Sequence, residues 1–141
     1  MKLKIVTPEK TIYENEILQI SVPTSMGEIT ILPHHIPLVS VLNAGELKIK
    51  DKSGEQVIAV ANGFVEIRAN NEIIILADNA ERAEEIDLER AEKARKRATE
   101  QMQQTKATED IDFAKLQAII DREMNRIKVA KKYKRLPEAK Q

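Results

Sequence analysis

After Ala80 the chain contains no glycine at all, and no proline until Pro137. Those residues are the strongest local breakers of a helix, so nothing interrupts one over that long stretch. All four glycines, at 27, 45, 54 and 63, lie before it. The chain is therefore expected to change character near residue 80, with short, turn-separated elements giving way to long helices.

The first part carries β-rich segments: residues 2–6, "EILQISV", "EITIL", "ELKIK", "QVIAVA", "FVEIR" and "EIIILA". Leu18, Ile20 and Val22 alternate with polar neighbours, as do Ile29 and Ile31, Leu47 and Ile49, and Val65 and Ile67. That is the period of a half-buried strand. Turn residues separate the segments at 23–27, 51–54, Asn62-Gly63 and Asn70-Asn71. Many short strands at near-regular spacing predict an antiparallel sandwich or barrel.

In the second part Leu88, Ala91, Ala94, Ala98 and Met102 form one stripe at helical spacing, and Phe113, Leu116, Ile120, Ile127 and Ala130 form another. Asp87 and Asp112 stand where N-caps are expected. The polar run "QQTKATED" between them is the natural reversal point. An alanine stripe against a bulky one suits two closely packed antiparallel helices.

At 141 residues the chain fits one ordinary domain or two very small ones. Aromatics make up 3% with no Trp, which argues against a large aromatic-lined pocket. The absence of Cys removes disulfides, thiolate nucleophiles and sulfur metal sites together. The N-terminus shows no charged-then-apolar leader, and the apolar run around 73–77 is too short to cross a bilayer. A soluble cytoplasmic protein is expected.

The formal net charge is zero, but it is unevenly placed. Residues up to Ala80 carry 7 basic and 10 acidic side chains, and from Phe113 onward the count is 9 basic to 3 acidic. A basic end on a neutral protein points to a local acidic partner rather than to wholesale coating of nucleic acid.

The glycines never approach the spacing of a P-loop, so no nucleotide-hydrolysis motif is present. His34 and His35, fenced by Pro33 and Pro37, are the only histidines. Being adjacent, they point apart in extended backbone, and no third His or Cys completes a zinc site, so no metal is expected. Turn residues packed between two rigid prolines is the simpler reading. In the second part, a reversal near Thr108 would place Arg90 beside Arg126 and Ala94 beside Arg122. Three guanidinium groups would then converge. Two readings stay open: salt bridges with Asp87, Glu89, Asp121 or Glu123, or a phosphate site, since arginine forks suit phosphate oxygens.

The order of motifs carries a resemblance. "GE-apolar…ILP-x-H-x-PL…L-x-x-GEL", then "A-x-G-F-x-E", "ILAD-x-AE" and "IDLERAEKA" together resemble the epsilon subunits of F-type ATP synthases over nearly the whole chain. Thr30 stands where the family commonly has a turn glycine, and His34 where Gly or Asn is common, leaving His35 as the counterpart of the recurring histidine. The resemblance implies an antiparallel β-sandwich over residues 1–84 followed by an antiparallel α-helical hairpin over 85–141.

The resemblance also implies a role. The family's sandwich binds the rotating gamma subunit and rests on the membrane ring of c subunits, which places Glu28 and His35 at the contact. Its hairpin is either retracted or extended along gamma. When extended, its basic helix reaches the alpha and beta subunits and blocks ATP hydrolysis, a role that would fall to Lys128, Lys131, Lys132, Lys134 and Arg135. Two arrangements close in energy form a switch that a ligand can bias. Some bacterial members bind ATP through I/L-D-x-x-R-A-x-x-A, matched here by Ile86, Asp87, Arg90, Ala91 and Ala94, with Glu81, Arg122 and Arg126 resembling the remaining contacts. ATP would be a regulatory ligand, and no cofactor is required. The expected role is a non-catalytic subunit in hydrogen-ion transport and ATP synthesis, peripheral on the cytoplasmic face of the cell membrane and binding no nucleic acid.

Two other classes fit parts of the chain. One is a basic coiled-hairpin factor acting on RNA polymerase or the ribosome, with Glu109, Asp110 and Asp112 at its tip. The other is a small enzyme using His34 or His35. Neither accounts for the full order of motifs.

Overall fold

The structure, a computed structural model, describes residues 1–104 and 110–134, with side chains for all of these except 110–112 and 134. It divides into two compact units, Met1–Arg82 and a second that begins at Ala83.

The first unit is an eight-stranded sheet in the order β2-β1-β8-β7-β5-β3-β4, with β6 pairing both β3 and β7. The strands are β1 Lys2–Val6, β2 Thr11–Glu16, β3 Gln19–Thr24, β4 Gly27–Ile31, β5 Leu38–Leu42, β6 Gly45–Asp51, β7 Gly54–Arg68 and β8 Glu72–Arg82. All pairings are antiparallel except β1 with β8, which run parallel from Lys2↔Glu72 to Val6↔Leu76.

β5 and β6 lie end to end along β7, so the sheet folds over a single core as a β-sandwich. The alternating residues meet there: Ile20 and Val22, Leu47 and Ile49, Val65 and Ile67, Ile73 and Ile75 are all buried in one cluster. Each such side chain contributes roughly 1.5–3 kcal/mol by leaving water. Leu18, expected on the same face as Ile20, instead precedes β3 and is 55% exposed. Its N–H donates to the Lys50 carbonyl, which holds it outside the alternation.

One expectation about strands needs correction. Asn62-Gly63 is not a turn between strands; it is a bend inside the continuous β7. Asn62 has φ 54° and Gly63 φ 148°, and β7 keeps its pairing with β8 through the bend while its other partner changes from β6 to β5. A Cβ on Gly63 would lie 1.9 Å from the Leu76 carbonyl oxygen, so only glycine allows the strands this close. β2 forms although "TIYENE" is mostly polar, stabilised as an edge strand by its pairing with β1. β5 forms although "LVSVL" lacks alternation, and only its last residue, Leu42, is buried.

The second unit opens with a 3-10 turn, Ala83–Glu85, and continues as α1, Leu88–Gln104, and α2, Asp110–Lys134. Lys131 near the end of α2 lies 3.7 Å from Glu92 near the start of α1, as in an antiparallel hairpin. Ala91 and Ala98 of one stripe and Ile120 and Ala130 of the other are buried, but Phe113 is 45% exposed. Asp112 lies inside α2 rather than at its cap, since the helix already includes Asp110. The expected reversal at Thr108, and Glu109 with it, fall outside the described residues, as do the side chains of Asp110 and Asp112.

Candidate functional site

The first candidate surface is built on the β3–β4 hairpin, whose tip is Ser25-Met26. Thr24 fixes the turn twice: its hydroxyl donates to the Gly27 carbonyl at 2.6 Å and accepts the Met26 N–H at 3.2 Å. Glu28 follows on β4, exposed, with its carboxylate 3.6 Å from Lys48 Nζ, which also lies 3.4 Å from Glu46. Met26, at 91% exposure, stands beside it.

The histidine loop joins β4 to β5. The His34 N–H donates to Asn71 Oδ1 at 2.8 Å, which anchors the loop to the turn between β7 and β8. His35 Nδ1 donates to the Ile36 carbonyl at 2.7 Å, which fixes the ring against its own loop. Leu32 and Ile36 are exposed on either side. Among the described residues, no three His, Cys, Asp or Glu side chains gather as metal ligands. The loop is a shaped and tethered surface.

An exposed apolar row crosses four strands on the side of the sheet away from the core. Val41 pairs with Phe64, Phe64 with Leu76, and Leu76 with Val6. Val41, Phe64 and Leu76 are 48%, 54% and 53% exposed. Val39, 68% exposed, sits one pleat away opposite Glu66.

In the second unit Asp87 caps α1, its Oδ1 accepting the Arg90 N–H at 3.1 Å. Ile86 and Ala91 are fully buried and Ala94 is half-buried, so these members of the I-D-x-x-R-A pattern pack the unit. The arginines on α2 converge on a carboxylate: Arg122 Nε donates to Glu123 Oε1 at 3.2 Å and Arg126 Nη1 to Oε2 at 2.8 Å. Glu123 itself is 2% exposed. Arg90 is exposed and, among the described residues, forms no ion pair. Glu81 lies on β8 in the first unit.

Lys128, Lys131 and Lys132 are exposed and spaced i, i+3, i+4, which puts them on one face of α2. Lys131 meets Glu92, and Lys132 Nζ lies 5.2 Å from the Tyr133 ring centre. Lys134 ends the helix with its side chain outside the described residues, and Arg135 lies outside them altogether.

The sequence profile of the ATP synthase delta/epsilon chain β-sandwich domain matches residues 1–83, and that of the same chain's long α-helix domain matches residues 84–131. The chain belongs to the ATP synthase delta/epsilon family. It is 43% identical over 138 residues to an ATP synthase epsilon chain of Dehalococcoides mccartyi, covering 98% of this chain and 97% of that one. It is 42% identical over 130 residues to that of Halalkalibacterium halodurans, covering 92% and 96%. Its fold is similar to a chain in the Euglena gracilis mitochondrial ATP synthase (OSCP/F1/c-ring, rotational state 1), with a TM-score of 0.72 at 21% identity over 87% of this chain and 76% of that one. A chain in the Tetrahymena thermophila mitochondrial ATP synthase central stalk and c-ring gives 0.53 at 23% identity over 61% and 69%.

Both departures from the epsilon motif have a local explanation. Thr30, in place of the turn glycine, lies opposite Ser21 in the β3–β4 ladder, and their hydroxyls are 3.0 Å apart. The position keeps strand geometry and gains a cross-strand hydrogen bond. His34, where the family commonly has Gly or Asn, has φ 67°, the left-handed conformation those two residues tolerate best.

Two features of this epsilon-family chain escaped sequence reasoning. The apolar row alternates with core residues on the same strands, so no local pattern separates it from the core. A polar network surrounds Asp51: Tyr13 donates to Oδ2 at 2.8 Å, and Ser53 donates to Oδ1 through its N–H at 2.8 Å and its hydroxyl at 2.6 Å. The Ser53 and Tyr13 bonds hold the Asp51 carboxyl below its ordinary value, while burial and the Asp51 hydrogen bond push the Tyr13 phenol up to about 12. Thirty-eight positions separate the pair, and only the β-turn chemistry of Asp51 and Ser53 was visible locally.

Proposed function

We propose that this chain is the epsilon subunit in the central stalk of a proton-translocating F-type ATP synthase. It is a non-catalytic part that couples stalk rotation to the membrane ring and restrains ATP hydrolysis through its helical hairpin. The observation that carries the reading is the 43% identity to an ATP synthase epsilon chain over 98% of this chain, which matches both units and their order.

Each surface then has a task. The apolar row of Val6, Val41, Phe64 and Leu76 is suited to bury against gamma, because an uncharged strip across four strands gains most from leaving water. Glu28 and His35 face the polar loops of the c-ring. The lysines on α2, with Lys134 and Arg135, meet acidic segments of alpha and beta when the hairpin extends. ATP binds through Arg90, Arg122 and Arg126 and favours the retracted hairpin. The subunit acts as a peripheral protein at the cytoplasmic face of the membrane; none of the described helices is long and apolar enough to cross it.

Copurification with a tagged chain tests the assignment. Recovery of gamma, alpha, beta and c subunits is expected; RNA polymerase or ribosomes in their place would overturn it. A chain ending at residue 84 tests the division of labour. The sandwich core is formed entirely by residues of the first unit, so this chain should fold and assemble with gamma while releasing hydrolysis from inhibition.

A further inference from the structure

The seam of α2 presents Ile120, Val129 and Ala130 to the interior, and among them sits a carboxylate, Glu123, at 2% exposure. Such a group is costly to bury unless it is paired. Arg122 and Arg126 supply the pairing at 3.2 Å and 2.8 Å, and their side chains remain 35% and 21% exposed. No buried side-chain polar atom among the described residues is left without a partner. The cluster therefore satisfies itself with no ligand bound.

We propose that Glu123 is an internal substitute for an anionic ligand, a carboxylate that holds Arg122 and Arg126 in the folded hairpin and thereby limits how tightly a polyphosphate binds them. This rests on the reading that the two arginines belong to a nucleotide site. Arg122 gives Glu123 one of the five N–H groups a guanidinium carries, so the pairing leaves it able to donate to a phosphate as well. A polyphosphate arriving there must share those arginines with a negative charge a few ångströms away, in surroundings where repulsion is weakly screened. Glu123 lowers affinity without abolishing it. The anion concentration that biases the hairpin is then set in part by this one side chain.

The test is calorimetric titration of the full chain with ATP and, separately, with inorganic tripolyphosphate. Wild type, Glu123→Gln, Glu123→Ala and Arg126→Ala are compared, each shown by circular dichroism to be folded. Glu123→Gln keeps the shape and removes the charge, so the dissociation constants for both anions should fall by about tenfold. Glu123→Ala should move them in the same direction, and it decides the matter if the Gln variant fails to fold. Unchanged or weaker binding by the Glu123 variants, with binding lost in Arg126→Ala, would show that Glu123 serves only to orient the arginines; the proposal fails and the nucleotide site stands. A gain for ATP but not for tripolyphosphate would also overturn it, because competition for charge ignores the base. Equal binding by wild type and Arg126→Ala, or no binding by any variant at millimolar concentration, removes the site and the proposal together.

Discussion

Arg126 holds the Glu123 carboxylate at 2.8 Å from one turn further along the same helix, and Glu123 is 2% exposed. The pair therefore links the stability of the hairpin to the residues expected to meet a nucleotide. Replacing Arg126 by Ala leaves a buried carboxylate with one arginine instead of two. Thermal unfolding should show a loss of about 1–3 kcal/mol in the helical unit. ATP binding should weaken in parallel. Lysine at this position should recover part of both, since it keeps the charge but not the planar fork. A melting curve indistinguishable from wild type would mean that Arg122 alone satisfies the carboxylate.

Phe64 lies at the centre of the apolar row, with Val41 and Leu76 as its cross-strand neighbours. Because it is 54% exposed, Phe64→Ser should cost the sandwich about 1 kcal/mol or less. Assembly with gamma should weaken far more than that. Pull-down of gamma beside a denaturant titration separates the effects, and full retention of gamma would move the docking surface elsewhere on the sandwich.

Reversing Lys128, Lys131 and Lys132 to Glu disturbs only exposed charge. The Lys131–Glu92 pair, with side chains 52% and 49% exposed, is worth about 1 kcal/mol at most. The triple variant should stay folded and inhibit hydrolysis by the assembled ATPase less than wild type does. Rising salt should weaken wild-type inhibition as well. An inhibitory effect insensitive to both would exclude an electrostatic contact.

Tyr13 and Asp51 set opposite limits on pH stability. The Tyr13 phenol is raised from 10.0 to about 12 in the folded sandwich, so its contribution is complete below pH 10 and is lost as pH climbs through 12. Asp51 is lowered from 3.8, so its contribution is present above that value and fades as pH falls below it. Tyr13→Phe should flatten the alkaline loss and reduce the acid one, since the phenol is among the donors that lower Asp51. Equal slopes for variant and wild type between pH 10 and 12 would assign the alkaline limit to another group.

The legible parts of the fold were those written in short-range pattern. Ile20 with Val22 and Val65 with Ile67 alternate because one face of each strand is buried, and both pairs are in the core. The change of texture near residue 80 was legible for the same kind of reason: glycine and proline act on their own backbone. The Asp87 cap needs only the next helical turn and was visible from residue spacing. β2 and β5 were not, since one is polar and the other lacks alternation, and each is a strand by virtue of its neighbours.

The candidate surfaces divide along the same line. Motif order pointed to Glu28, His35 and the I-D-x-x-R-A run because those residues are close in the chain. Spacing alone left Arg122 and Arg126 between a salt bridge and a phosphate site, since i, i+4 geometry states that two arginines share a face and says nothing of what lies beneath them. Packing supplied the missing fact, a buried Glu123. Packing likewise made the row of Val6, Val41, Phe64 and Leu76, residues brought together by a parallel and two antiparallel pairings. Strand period and helix breakers act over a few residues and can be read from them; which face stays exposed, and which charge ends up buried, depends on partners dozens of residues away.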